Sequence, residues 1–243
     1  MKYEKSLDDI GWSKHYNINL LNSVVASIEK EDVQIWAKEL LKLISDGKSV
    51  LEIGCGTGIS TLWLAKNGRK AYALDYTDSS VELVKEAAKR LKLDVDVKKA
   101  DATKDLPYEK KQFEVIFQSG LLEHFSTEEQ IKLLNSWKKY SKYMISMIPN
   151  KASLPYRVGK YIMEENKTWE YGLEIPKHSM IYEFEKAGII VEREYTIGTE
   201  WALRFLPKEH YIKRCFEQLI NEGYDLDEMM QGYLLVTIGK CGE

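Results

Sequence analysis

The sequence predicts an α/β fold: a doubly wound, mostly parallel sheet with helices on both faces. Two observations carry that expectation. Short β-favouring apolar runs alternate with amphipathic helical stretches from residue 49 to residue 148, and the first run passes through closely spaced glycines straight into a helical stretch. Such alternation implies βαβ crossovers, whose helices pack on both sides of a parallel sheet.

The elements follow in order. Residues 17–46 place Leu20, Leu21, Val24, Val25 and Ile28, then Val33, Trp36, Leu40, Leu41 and Ile44 at helical spacing, with charged residues 29–32 between them. Two amphipathic helices are expected there. Asp46-Gly47-Lys48 then punctuates the chain, and 49–53 has the length and apolarity of a buried parallel strand. A helix over 59–67 stops at Gly68, a strand over 71–74 ends in Asp75, and 81–91 returns to helical spacing. Strands are expected over 94–99, 113–117 and 143–148, with a helix over 127–140 between the last two. The rhythm then breaks. Pro149, Pro155 and Pro176 are three of the five prolines, and the stretch they bracket carries Tyr156, Tyr161, Trp169 and Tyr171. Such a connection is too long for an ordinary loop and reads as a lid or binding element. A helix over 178–186, stopped by Gly188, and strands over 189–195 and 233–238 complete the expectation.

Composition narrows the function. With 44% hydrophobic and 30% charged residues in 243, the chain can bury a core and lies far from the disordered class. A net charge of −3 supplies no global positive field, which argues against nucleic acid or an anionic membrane surface as partner. The N-terminal MKYEKSLDDIGW carries charges where a secretory signal needs an apolar run, and no apolar stretch of about 18 residues is present to span a bilayer. Cys55, Cys215 and Cys241 are an odd number with no C-x-x-C pair, so reduced thiols and a cytoplasmic location are expected.

The chemistry centres on Glu52-Ile53-Gly54-Cys55-Gly56-Thr57-Gly58-Ile59. A buried strand there enters a turn with glycine at alternate positions and leaves it as a helix, which exposes bare backbone at the carboxyl edge of the sheet. A dinucleotide turn needs G-x-G-x-x-G, but Gly58 comes one residue too early, and Glu52 would repel a pyrophosphate while welcoming a cationic amino-acid head group.

With these residues the chain resembles the class I S-adenosylmethionine-dependent methyltransferases, in particular the small-molecule group with a seven-stranded Rossmann-like sheet. The resemblance implies a final antiparallel strand and S-adenosylmethionine as cofactor. It implies that the backbone of Gly54, Cys55, Gly56, Thr57 and Gly58, preceded by Glu52, cradles the methionine part. Asp75, followed by Tyr76, falls where the family's acidic residue binds the ribose hydroxyls; Asp101 and Ala102 fall at the adenine position; Gln118 and Ser119 follow the fourth strand, where the family's backbone passes under the cofactor. As structural alternatives, Asp75 suits the cap of the next helix and Asp101 an ordinary turn.

Methyl transfer from a sulfonium needs mainly alignment and exclusion of water, with a base only when the nucleophile arrives protonated. His124, in Leu121-Leu122-Glu123-His124-Phe125, is the candidate base, with Glu123 beside it; the alternative for His124 is a carbonyl hydrogen bond or stacking role. The Glu-His pair resembles that of the ubiquinone-pathway O-methyltransferases, whose further metal-site Glu corresponds here to Gly120, so no metal is assigned. Trp169-Glu170-Tyr171 and Glu174 offer aromatic walls and carboxylates suited to a cationic or ring-shaped acceptor, or else packing for the long connection. His15 and Tyr16 are candidates for a lid over the cofactor. The organisation expected is a single domain: an N-terminal helical lid over 1–47, a cofactor-binding core over 48–148, an acceptor-covering insertion after the fifth strand over 149–178, and C-terminal strands and helices over 179–243. The expected function is methylation of a small molecule. Aminocarboxypropyl transfer, cyclisation of the cofactor, and cofactor binding without catalysis are the alternatives.

Overall fold

A computed structural model describes residues 6–242; residues 1–5 of the expected lid lie outside the described residues. Seven strands form one sheet among the described residues: β1 Ser49–Ile53, β2 Lys70–Asp75, β3 Val95–Lys99, β4 Phe113–Ser119, β5 Ser141–Pro149, β6 Ile189–Ile197 and β7 Leu234–Cys241. Their order is β3-β2-β1-β4-β5-β7-β6. Strands β1 to β5 pair in parallel, and β7 is antiparallel to both β5 and β6. The helices are α1 Asp9–His15, α2 Leu21–Glu29, α3 Ile35–Leu43, α4 Ile59–Lys66, α5 Asp78–Leu91, α6 Thr127–Trp137, α7 Leu154–Glu165, α8 Ile181–Lys186, α9 Thr199–Ala202, α10 Tyr211–Asn221 and α11 Leu226–Met229. None of them is long and apolar enough to cross a membrane.

The strands bury both faces because alternate side chains point to opposite sides of a sheet. Leu51, Ile53, Ile116, Met144 and Ile148 pack on one side with Leu134 and Trp137 of α6 and Phe184 of α8. Val50, Val115, Phe117, Ile145 and Met147 pack on the other with Leu40 of α3 and Leu64 of α4. The chain reverses its winding between β1 and β4, so the carboxyl ends of these neighbours open a crevice at the switch point, where open α/β sheets bind ligands.

Two expectations are refined. The 149–178 connection is not simply loop: α7 lies within it, with Pro155 in the first turn, where a missing N–H costs nothing. The expected helix over 127–140 ends at Trp137 and tightens into a 3-10 turn at Lys138–Tyr140 before β5 begins at Ser141. At its start, Ser126 and Glu129 form a reciprocal capping box. The indole N–H of Trp137 donates to the Ala102 carbonyl at 2.8 Å and ties α6 to the segment after β3.

Candidate active site

The glycine turn is held by main-chain bonds to the end of β2. Gly54 and Cys55 N–H donate to the Leu74 carbonyl at 2.8 and 3.1 Å, and Gly56 N–H donates to Asp75 Oδ2 at 3.0 Å. Gly54, Gly56 and Gly58 have φ of 71°, 51° and 66°, the left-handed region that only glycine enters cheaply. Space demands glycine as well. A Cβ on Gly58 would stand 2.5 Å from a methyl of Val84, and one on Gly56 3.3 Å from the Tyr16 ring. Behind the turn, the Glu52 carboxylate accepts from Thr61 N–H at 3.1 Å and from the Thr61 hydroxyl. Burial still lifts Glu52 from 4.5 to about 8 against those two bonds.

Asp75 is 6% exposed and accepts three hydrogen bonds: Oδ1 from Thr77 N–H and Thr77 Oγ1, both at 3.0 Å, and Oδ2 from Gly56. The cap of α5 is Thr77, whose Oγ1 accepts from Ser80 N–H, so Asp75 positions the turn and the cap without being the cap. Asp75 also lines the cavity described next.

The turn opens into a cavity of about 390 Å³ at the switch point. Glu52, Gly54, Cys55, Gly56, Thr57, Asp75, Tyr76, Ser119, Glu123 and His124 all line it. Asp101, Ala102, Gly58 and Gln118 do not. Asp101 Oδ1 accepts from Thr103 N–H and its hydroxyl at 2.9 and 2.6 Å, and Lys104 Nζ lies 3.3 Å from Oδ2, contacts that hold the carboxyl below the usual range. Gln118 is 2% exposed: its amide N–H donates to Ser146 Oγ at 2.7 Å, and its Oε1 accepts from Leu121 and Leu122 N–H at 3.0 and 3.2 Å. It shapes the turn that presents Glu123 and His124.

His124 sits in a 3-10 turn, Leu122–His124, with its ring Nδ1 2.6 Å from the Leu173 carbonyl. A carbonyl only accepts, so the proton is on Nδ1 and the Nε2 lone pair is left available. Burial lowers His124 to about 4, although the Leu173 bond pulls the other way. Glu123 is 2% exposed, and burial, aided by nearby Glu174, pushes its carboxyl well above the usual range.

Residues 50–142 match a sequence family described as "Methyltransferase domain". The chain resembles that family over these residues, from β1 to the start of β5. Its sheet order, with β7 antiparallel, is that of the class I S-adenosylmethionine-dependent fold. A cypemycin N-terminal methyltransferase from Streptomyces sp is 33% identical over 36% of this chain and 34% of its own. A phosphoethanolamine N-methyltransferase from Triticum aestivum is 27% identical over 57% of this chain and 29% of its own. The chain thus spans about a third of the length of these curated relatives. The solved geranyl diphosphate C-methyltransferase of Streptomyces coelicolor A3(2), in complex with Mg2+, geranyl diphosphate and S-adenosyl-L-homocysteine, is 13% identical, covers 85% of this chain and 80% of its own, and has a TM-score of 0.58, a likeness of fold.

Elements outside the matched residues roof the cavity. Tyr16 stacks on Trp12 with ring centroids 5.9 Å apart, and Trp12 meets the His124 ring edge-on at 5.0 Å. The His15 ring stacks on Tyr171 at 5.3 Å, and its Nε2 lies 3.2 Å from the Glu170 carbonyl. Helix α1 therefore spans the glycine turn, the His124 turn and the covering segment. Of the residues singled out from the sequence here, Tyr16, Trp169, Tyr171 and Glu174 line the cavity and His15 does not, while Trp12, Gln34, Trp36, Trp201, Phe205 and Tyr233 line it without having been singled out. Trp201 stacks on Tyr233 at 4.8 Å and meets Trp36 edge-on at 5.0 Å. These three come from α3, α9 and the approach to β7, so no local motif joins them.

Proposed function

We propose that this chain transfers a methyl group from S-adenosylmethionine to a small-molecule nucleophile. The observation that carries the reading is the glycine turn at the switch point, opening into a cavity that also receives Glu123 and His124. The residues suit the cofactor: a side chain on Gly56 would fill the gap under Tyr16, and the Asp75 carboxylate lines the cavity beside the bare backbone. The backbone of Gly54, Cys55, Gly56, Thr57 and Gly58, buttressed by Glu52, would hold the methionine part. Asp75 would accept from a ribose hydroxyl, with Tyr76 beside it and Ser119 below; Asp101 and Ala102, outside the cavity, would meet the cofactor only where its adenine extends past Tyr76, and Gln118 would act through the turn it braces. Ala100 N–H donates to the Asp75 carbonyl at 2.9 Å, which brings the end of β3 next to that of β2. When bound, the cofactor supplies an activated methyl group on a sulfonium.

The chain's own contribution is alignment and dryness. Helix α1 and residues 149–178 cover the cavity, and Glu123 and His124 present the only groups of their turn that can take a proton from the acceptor. His124 is held as one tautomer by Leu173, so its Nε2 is pre-aimed as an acceptor. We place the protein in the cytoplasm, a reading supported by its three free cysteines.

Calorimetry with S-adenosylhomocysteine, followed by mass spectrometry of products from an acceptor library with S-adenosylmethionine, tests the function. Saturable binding with S-adenosylhomocysteine as co-product is expected. Absence of binding overturns the reading, and methylthioadenosine as co-product replaces methyl transfer with aminocarboxypropyl transfer or cyclisation.

A further inference from the structure

Beyond the glycine turn, the cavity wall is aromatic and acidic. Trp12, Trp36, Trp169, Tyr171, Trp201 and Tyr233 face it together with Glu123 and Glu174, and among the described residues no lysine or arginine lines it. A buried amine, Lys160, stands behind the wall. Its Nζ is 3.4 Å from Glu164, 3.6 Å from Glu174 and 3.3 Å from the centroid of the Trp169 ring. That one cation is shared by two carboxylates, and Glu174 also accepts from the Tyr156 hydroxyl. Glu123 is 2% exposed, forms none of these ion pairs, and its Oε2 meets no hydrogen-bond donor. A buried carboxyl left in this state is costly, and a cation supplied from outside removes the cost. Aromatic faces recruit the same charge.

We propose that the methyl acceptor is an apolar, ring-bearing amine that enters as its ammonium ion, is held between these aromatic faces against Glu123, and gives Glu123 its proton. The proposal rests on the methyl-transfer reading above. The balance is simple. The N–H bond breaks, its electron pair stays on nitrogen, and the proton goes to Glu123 Oε2. The freed pair forms the new nitrogen–carbon bond as the carbon–sulfur bond breaks and its pair remains on sulfur. Glu123 suits the task better than His124, because burial raises the proton affinity of the carboxylate while lowering that of the imidazole. An acceptor bearing a phosphate would meet carboxylates with no wall cation to offset them, which separates this cavity from an acceptor such as phosphoethanolamine.

Three probes of similar shape test the proposal: N-methylbenzylamine, a cation; benzyl methyl ether, its neutral counterpart; and benzyl phosphate, an anion. Each is titrated into the full chain saturated with S-adenosylhomocysteine, with tryptophan fluorescence as readout. The cation should bind roughly tenfold more tightly than the ether, about 1.4 kcal/mol, and the phosphate most weakly. Glu123→Gln should keep the affinities for S-adenosylhomocysteine and the ether but lose the preference for the cation, and kcat on the amine should fall about a hundredfold. If S-adenosylhomocysteine does not bind the wild-type chain, the methyl-transfer reading fails and this inference with it. If it binds but the ether or phosphate matches the cation, the acceptor class is wrong while methyl transfer stands. A Glu123→Gln chain that keeps the cation preference and kcat removes Glu123 from the role; should that variant not fold, the wild-type series still decides the acceptor class.

Discussion

Asp75→Asn is the sharpest test of how the glycine turn is built. The substitution is isosteric, so no cavity forms, and the effect is confined to hydrogen bonds. The new amide can keep its oxygen toward Thr77, where two donors converge, and must then present N–H2 to the Gly56 N–H, which now donates to Asp75 Oδ2 at 3.0 Å. Loss of one bond to a charged acceptor, with the buried Gly56 donor left unpaired, costs about 3 kcal/mol. For a chain of this size that is a fall in Tm of about 6–12 °C. The same change removes the acceptor proposed for the ribose, so the Kd for S-adenosylhomocysteine should rise roughly tenfold or more. Thermal unfolding and calorimetry read the two effects separately. Thr77→Val is the control: it deletes the hydroxyl that caps α5 and reaches Asp75, at a cost of about 2 kcal/mol, but leaves the Gly56 bond and cofactor affinity in place. If Asp75→Asn retains both wild-type Tm and affinity, the account of the turn is wrong.

His124→Ala should cut turnover while leaving the affinity for S-adenosylhomocysteine largely unchanged, and full activity in steady-state assays would remove the residue from the chemistry. Glu52 makes a pH-dependent prediction: because burial raises its carboxyl from 4.5 to about 8, the folded chain holds a proton that the unfolded chain releases. Its contribution is therefore complete below about pH 4.5 and lost as pH rises toward 8, by up to about 1.4 kcal/mol per unit. Glu52→Gln should flatten that decline in guanidinium unfolding between pH 5 and 8, and parallel curves for the two chains would contradict the assignment. Gly58→Ala combines a φ of 66° with a 2.5 Å approach to Val84, so a loss of about 3 kcal/mol is expected in the same assay. Val84→Ala in the same chain should recover part of it, and strict additivity would show that the clash is not the cause.

The sheet was largely legible because its signals are local. The run from Ser49 to Ile53 is apolar, bounded by Gly47 and Gly54, and becomes β1 with those limits. Residues 189–195 and 233–238 were legible as strands too, though β6 and β7 extend to Ile197 and Cys241, where pairing with each other holds polar residues in the sheet. The glycine turn was legible because positive φ leaves a trace in residue type. Gln118 and Asp101 show the opposite case. Each occupies a strand end in the cofactor series, yet one braces the His124 turn and the other closes a turn on Thr103, choices set by neighbours distant in sequence or by local geometry that spacing does not encode. Helix α7 was hidden by Pro155, which reads as a breaker until its place in the first turn is known. The aromatic wall from Trp36, Trp201 and Tyr233 was hidden for a different reason: three segments far apart in the chain meet only after β7 inserts between β5 and β6.

One short helix, α1, buries none of its own residues, yet its end touches the turn through Tyr16, the His124 ring through Trp12 and the insertion through His15. A single helix without a buried anchor of its own therefore borders the glycine turn, the His124 turn and residues 170–171 at once. If the cavity holds nucleoside and acceptor as proposed, a substitution that loosens α1 should raise the off-rates of both together.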